Sequence, residues 1–318
     1  MSQLLEIFKK QGGLKLIRNY WNNGVLGYAL VQFLLLGKSK KSLEIFRLGV
    51  YFKINQRIKK IYNHVLTDFD LKYNQNKPEM QKSNKVWIYW STGMEKTAPD
   101  VVKKCFKSIQ DNLKDREIIL LSKQNYKDYV DIPDYIIEKY NKGLIEHVHF
   151  ADLLRIELLA KHGGTWIDST VMCINNTVPS YMMNSEFFVF QKLKPGLDGN
   201  VINVSSWFIS SYSNHKFILA QQALLRHYWK TNNKAIDYFF FHHFMSMVSA
   251  FYSEEWKQII QIPNSLPHIL LLMLFDKYDE KKFNAMKEIC PFQKLSYKLD
   301  ETDIAKEGTY YQYIMNCK

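Results

Sequence analysis

Cysteine is scarce and scattered in this 318-residue chain. Its four residues, Cys105, Cys173, Cys290 and Cys317, form no C-x-x-C pair and no clustered Cys/His spacing. That excludes a disulfide framework and a zinc site built on paired thiols, and suits buried thiols in a reducing compartment. Long hydrophobic runs are missing too. The longest, Gly24–Gly37 (GVLGYALVQFLLLG), has 14 residues, whereas a bilayer-spanning helix needs roughly 20. No secretory signal is legible, because Glu6, Lys9, Lys10, Lys15 and Arg18 interrupt the first apolar residues. The chain has no internal repeat, no G-x-G-x-x-G fingerprint, no P-loop and no Ser-His-Asp or Cys-His pattern. An ordinary dinucleotide site, a P-loop kinase and a triad hydrolase are thereby disfavoured.

What is present is apolar bulk and a lopsided charge. With 47% hydrophobic residues, including 20 Tyr, 20 Phe and 7 Trp, the chain can bury a sizeable core. The net charge is +12, yet residues 1–77 hold 14 Lys/Arg against only Glu6, Glu44, Asp68 and Asp70. The remainder is close to neutral. A basic appendage on a near-neutral body points to docking on an anionic membrane surface through residues 1–77, and away from nucleic acid.

Lys38, Lys40 and Lys41 follow the apolar run directly, as suits a segment lying near anionic headgroups. From Leu43 the apolar positions Leu43, Phe46, Val50, Ile54, Ile58, Ile61 and Val65 step by three or four, one stripe of an amphipathic helix. Two readings of that stripe stay open: it packs on the body, or it attaches to the cytoplasmic leaflet. The polar stretch Lys72–Lys85 separates this part from the rest. The expected division is a helical, basic region 1–80 and a catalytic body 81–318.

The body alternates strands and helices. Lys85–Trp90 and Glu117–Ser122 read as buried strands, and Ala98–Leu113 and Pro133–Tyr140 as helices. This predicts an α/β fold with a parallel, doubly wound sheet, whose ligands gather at the carboxyl ends of strands. The most informative stretch is HFADLLRIELLAKHGGTWIDST, residues 149–170. Ala151–His162 reads as a helix with Asp152 and Arg155 on one face. Gly163-Gly164 stops it, Thr165–Ile167 is a strand, and Asp168 stands at the strand's exit.

These residues resemble the family 32 glycosyltransferases with a DXD sugar-binding region and the glucosylating-toxin catalytic domains, whose pattern is A-S-D-x-x-R-x-x-x-L-x-x-x-G-G-x-Y-x-D-x-D. Segments 86–109, 118–143, 149–171 and 292–298 (FQKLSYK) are more similar still to the bacterial capsular polysaccharide synthesis proteins. The resemblance implies a GT-A fold, Rossmann-like, with a mostly parallel sheet flanked by helices. It also implies a UDP-sugar donor and retention of anomeric configuration. Carried over by position, Trp87 would stack on the uracil. Asp152 and Arg155 would hold sugar hydroxyls and the region near the diphosphate, and Asp168 would contact ribose, sugar or metal. The last Asp of the DXD pattern is Thr170 here, in an Asp168-Ser169-Thr170 form. A hard-oxygen site suits Mn2+ or Mg2+, so Asp168 and Thr170 are the candidate metal ligands. Lys294, Ser296 and Lys298 are candidates for the diphosphate.

Other constellations have blander readings. Asp68-Phe69-Asp70 is a literal D-x-D that reads as a solvated turn. Asp237 either orients the acceptor or sugar, as a fourth catalytic candidate, or is a structural carboxylate. His242 and His243 are adjacent and make a poor metal pair, and Trp207 suits the core better than an acceptor floor. The expected function is a retaining hexosyltransferase, with UDP-galactose or UDP-glucose as donor and a lipid-linked saccharide as acceptor. It would serve capsule or exopolysaccharide assembly, peripheral on the cytoplasmic face of the cell membrane. The alternatives are a glycoside hydrolase and a catalytically dead docking scaffold.

Overall fold

Short apolar segments bounded by polar turns pair into one central sheet. The structure, a computed structural model, describes residues 13–37, 39–94, 97–193 and 201–316. Glu6, Lys9, Lys10, Lys38 and Cys317, read above from the sequence, lie outside the described residues. The strands are β1 (Lys85–Tyr89), β2 (Glu117–Leu121), β3 (Gly164–Ile167), β4 (Val171–Cys173), β5 (Phe187–Gln191), β6 (Val204–Ser211) and β7 (Phe292–Lys294). The main sheet has the order β2-β1-β3-β6-β5, and β4 and β7 form a separate antiparallel pair. β1, β2 and β3 run parallel, while β6 runs against both its neighbours. The α/β class and the mostly parallel sheet flanked by helices are those expected of a GT-A-type fold. β6 is the one strand of the main sheet that runs the other way.

Helices of eight or more residues are α1 (Leu14–Asn22), α2 (Leu26–Leu36), α3 (Lys40–Gln75), α4 (Asp100–Asn112), α5 (Asp134–Asn141), α6 (His147–His162), α7 (Lys216–Thr231), α8 (Phe240–Phe251) and α9 (Glu280–Ile289). Strand alternation splits the core between the sheet's two faces. Trp87 and Tyr89 of β1 join the larger cluster with α3, α6, α7 and α8. Val86 and Ile88 face a second cluster with Phe188, Phe208 and Phe292.

The double glycine after α6 is dictated by space and by backbone. Both residues have positive φ, +65° for Gly163 and +91° for Gly164, a region that side chains disfavour. A Cβ on Gly164 would stand 2.4 Å from the Lys85 carbonyl oxygen, and one on Gly163 2.5 Å from the Ser213 nitrogen. β3 can therefore lie directly against β1 as it leaves the helix. That close approach aims Asp168 at the carboxyl edge of the sheet.

α3 is not an appendage. Val50, Ile54, Ile58, Tyr62, Val65 and Leu66 belong to the same hydrophobic cluster as Trp87, Leu154 and Phe244. Tyr62 meets Phe244 at 5.3 Å and Tyr228 at 5.9 Å between ring centroids. Each fully buried Val or Ile on that face contributes about 1.5–3 kcal/mol. The boundary at residue 80 therefore does not divide two cores. Ile61 of the expected stripe is 47% exposed, because over 36 residues the buried face drifts from Ile58 to Tyr62 and Leu66. Asp68 and Asp70 also depart from the expected turn, since both lie within α3, and Asp70 pairs with Lys216 at 3.2 Å.

α7 is capped at its start by His215, whose Nδ1 accepts from the Phe217 amide at 3.3 Å while the ring stacks 5.2 Å from Phe187. Burial pushes this imidazole down from 6.5 to about 4. The unfolded chain would take up that proton near 6.5, so between there and about 4 it binds more protons than the folded chain. Stability is therefore full above the higher value and falls as the pH drops through the window. Melting temperatures measured across that range should fall with acid. His215→Asn, which keeps a capping acceptor but cannot titrate, should flatten the slope. An unchanged slope in that variant would remove His215 as a cause.

Candidate active site

At the carboxyl ends of β1 and β3, charged side chains meet in an otherwise apolar surround. Asp152 and Arg155 sit three apart on α6, so their side chains share a face, and both are buried. One Arg155 amino group donates to Asp152 Oδ1 at 2.5 Å, the other to Asp168 Oδ1 at 3.0 Å. The guanidinium lies 4.8 Å from the Trp166 ring and 5.3 Å from that of Phe241. Trp166, from β3 itself, donates its indole N–H to Asp168 Oδ1 at 2.8 Å. Arg155 is thus a bridge between two carboxylates, held flat by aromatic faces. With both amino groups so engaged, it presents no free fork to a diphosphate.

Asp168 is fixed from its backbone as well. Its amide donates to the Trp207 carbonyl at 2.8 Å, and its carbonyl accepts from Val171 at 2.9 Å, closing a tight turn. That turn feeds β4, which pairs with β7 in the register Val171↔Lys294. Lys294 is thereby placed beside the turn. Its ammonium donates to Thr170 Oγ1 and stands 3.4 Å from Asp168 Oδ2. Burial pushes the Asp168 carboxyl up. The Lys294 and Arg155 charges, with the Trp166 hydrogen bond, outweigh it and hold the carboxyl below its ordinary value. Asp168 is an anion throughout the neutral range.

The quartet Asp152, Arg155, Asp168 and Lys294 is formally neutral. A resident metal centre does not fit its donors. Asp168 is the acid at the mouth, and the Thr170 hydroxyl already accepts from an ammonium that would repel a dication. No cluster of three His, Cys, Asp or Glu able to hold an ion occurs among the described residues. In this arrangement the Thr170 hydroxyl and Asp168 are both engaged by Lys294.

Two further expected residues, Trp87 and Asp237, fall elsewhere. Trp87 is fully buried, its indole N–H donating to the Gly163 carbonyl at 2.8 Å and its ring covered by Tyr129 and His162. It has no face for a base. Asp237 is turned away from the quartet. It accepts from the Phe239 amide at 2.8 Å and from His243 Nε2 at 3.0 Å, and His243 also contacts Asn55 of α3. These bonds tie the turn before α8 to His243 on the helix and, through it, to α3. Ser296 accepts from the Lys298 amide at 3.1 Å and shapes the turn after β7, while Lys298 is exposed beside the Tyr297 ring. Gln293, next to Lys294, is spent on the backbone, accepting from Leu270 at 3.0 Å and donating to Cys290 at 3.1 Å. Trp207 stacks on Phe190 at 4.9 Å as a core residue.

Residues not singled out for the site stand around its rim. Trp90, half-buried at the very exit of β1, meets Tyr297 edge-on at 5.5 Å. It offers the aromatic face that Trp87 lacks. Tyr238 is 66% exposed, and burial of its hydroxyl together with Asp152, Asp168 and Tyr297 raises its pKa. The Nδ1 atoms of His149 and His242 and the Nε of Arg155 are buried without hydrogen-bond partners. His149 Nδ1 lies 3.8 Å from Asp152 Oδ2. Burial lowers His242 to about 4, so it is neutral at pH 7. A polar ligand between α6 and α8 would satisfy such orphaned groups, which otherwise cost about 1–3 kcal/mol each.

A solved structure named PaToxG Glycosyltransferase resembles the chain distantly, with 13% identity and a TM-score of 0.35 over 82% of this chain and 97% of that one. No curated protein matches the chain. A family model described as capsular polysaccharide synthesis protein matches residues 39–314, from the Ser39 cap of α3 through β1–β7 and the whole quartet. The chain belongs to the capsular polysaccharide synthesis protein family.

Proposed function

We propose that this chain is a retaining glycosyltransferase. It moves a hexose, from UDP-galactose or UDP-glucose, onto a lipid-linked saccharide at the cytoplasmic face of the membrane. The observation that carries the reading is Asp168, an ionised carboxylate at the exit of the central strand, flanked by Arg155 and Lys294. A hexose at that strand edge would find Asp152, His149 and His242 as hydrogen-bonding groups, and Trp90 would take the uracil.

In transfer, the bond from the anomeric carbon to the β-phosphate oxygen breaks and UDP leaves with the electron pair. The acceptor oxygen bonds to that carbon on the face the diphosphate leaves, and its proton passes to the departing β-phosphate oxygen. The negative charge develops on the diphosphate, where Lys294 and the exposed Lys298 are the cations at hand. Because the quartet is neutral, any Mg2+ or Mn2+ would come with the diphosphate as part of the donor substrate.

A glycoside hydrolase needs a protonated acid and a second carboxylate flanking the bond. Here the two carboxylates share one guanidinium, and the outer one is held ionised, which weighs against that alternative. Incubating the purified protein with UDP-glucose, UDP-galactose and their N-acetyl forms should release UDP from at least one. No oligosaccharide should be cleaved in the absence of a nucleotide. If none of the four donors is bound or turned over, the reading is wrong and the dead-scaffold alternative takes its place.

A further inference from the structure

Among the described residues, exposed large apolar side chains crowd together on α1 and α2, ahead of the residues that the family model matches. α2 (LGYALVQFLLL) carries no charge and buries only Ala29 outright. Its inner side is spent on α3. Phe33 meets Phe46 at 6.2 Å, and the Tyr28 hydroxyl would stand 2.6 Å from a Cβ at Gly49, so the two helices touch where glycine leaves room. Its outer side remains bare: Leu30, Val31, Leu34 and Leu35 are 57%, 55%, 81% and 75% exposed, with Trp21 of α1 at 72%. Such a patch on a globular chain marks a binding surface.

Charge identifies the occupant. From Gly13 to Leu43 the chain contains no acidic residue, and the exposed Lys40 and Lys41 stand at the end of the apolar helix. Eleven residues of helix reach about 16 Å, half of a bilayer's roughly 30 Å hydrocarbon core. Among the described residues no helix is long and apolar enough to cross a membrane. The helix is too short to span, and the cations that open α3 just after it would meet anionic headgroups.

The same hairpin is tied to the rim of the site. Asn23, which ends α1, donates its side-chain amide to the Ile236 carbonyl at 2.9 Å. Two residues on is Tyr238, exposed and within electrostatic range of Asp152 and Asp168. We propose that the outer face of α2, with Trp21, Lys40 and Lys41, inserts into an anionic lipid bilayer and so lays the Tyr238 rim of the site against the headgroup layer. This deepens the reading above, since it gives a lipid-linked acceptor its route to Asp168. It also moves the docking surface off the α3 stripe, which the core occupies.

The test uses the full chain sedimented with vesicles of phosphatidylcholine alone or containing roughly a quarter phosphatidylglycerol. Wild type should pellet with the anionic vesicles. Leu34→Glu/Leu35→Glu should lower partitioning by roughly tenfold or more, and Lys40→Glu/Lys41→Glu should abolish the preference for anionic lipid. Leu272→Glu, at a residue 80% exposed outside this surface, should bind as wild type. UDP release from soluble donor should be unchanged in all three, because none of these residues touches the quartet. The proposal is overturned if wild type stays in the supernatant or if the Leu34/Leu35 variant still pellets. It is equally overturned if that variant instead dissolves a dimer seen without vesicles, which would make the face a contact between two copies. Absence of UDP release in wild type would remove the transferase reading and leave the vesicle result to stand or fall separately.

Discussion

Asp168→Asn protein should fold and melt within a few degrees of wild type, and release UDP about 10²–10³ times more slowly. The substitution keeps the shape of the side chain, and its amide oxygen can still accept from the Trp166 indole. The backbone bonds to Trp207 and Val171 do not involve the side chain. What disappears is the negative charge between Arg155 and Lys294. Arg155 retains Asp152 as its partner, so the helix face should not come apart. Lys294 retains only the Thr170 hydroxyl and is free to collapse onto the donor diphosphate. Donor affinity should therefore change less than turnover, or even tighten, while kcat falls. Turnover in the variant within a factor of two or three of wild type would show that Asp168 is a structural anion alone.

How much of this was legible in the sequence differs between residues for physical reasons. β1, β2, β3 and the helices between them follow from apolar runs punctuated by Gly, Pro and polar residues. Their observed ends lie within a few residues of those expected. Asp168 was legible because the double glycine fixes where the strand begins and hence where it ends. The stripe on α3 was legible as a stripe. Its partners were not, since periodicity says which face is buried and nothing about what covers it. α7 and α8 lie more than 140 residues further along the chain.

Trp87 shows the opposite failure. Period-two alternation puts its ring on one face of the sheet, but the thickness of the layer above it, Tyr129 and His162, comes from segments remote in sequence. Counting to the carboxyl end of β1 would have favoured Trp90, three residues on. The reversed direction of β6 could not be read either, because strand polarity leaves no trace in composition. His242 and Tyr238 were similarly hidden. Only the packing of α8 against α6 brings them near Asp152.

Lys294→Ala should lower kcat about 10²-fold with a smaller effect on KM. The ammonium is the one cation of the quartet without a buried carboxylate behind it. Arg155 is spent between Asp152 and Asp168, whereas the Lys294 side chain is 20% exposed and faces Asp168 from the side open to a ligand. Its placement comes from the β4–β7 pairing and not from its own contacts, so removing the side chain should leave the turn in place. The leaving diphosphate then loses its nearest positive partner at the moment when its charge grows, which is a loss felt in the transition state more than in binding.

A second readout separates this from a purely structural role. Lys294 is the strongest influence holding the Asp168 carboxyl down. In Lys294→Ala that carboxyl should therefore titrate at higher pH. The acid limb of the kcat profile should move upward, since activity that needs the anion is lost earlier as the pH falls. Lys294→Arg, which keeps a cation on the same strand, should restore the position of that limb and part of the rate. A Lys294→Ala enzyme with the wild-type rate and acid limb would place the leaving-group charge elsewhere, on Lys298 or on an ion carried by the donor itself.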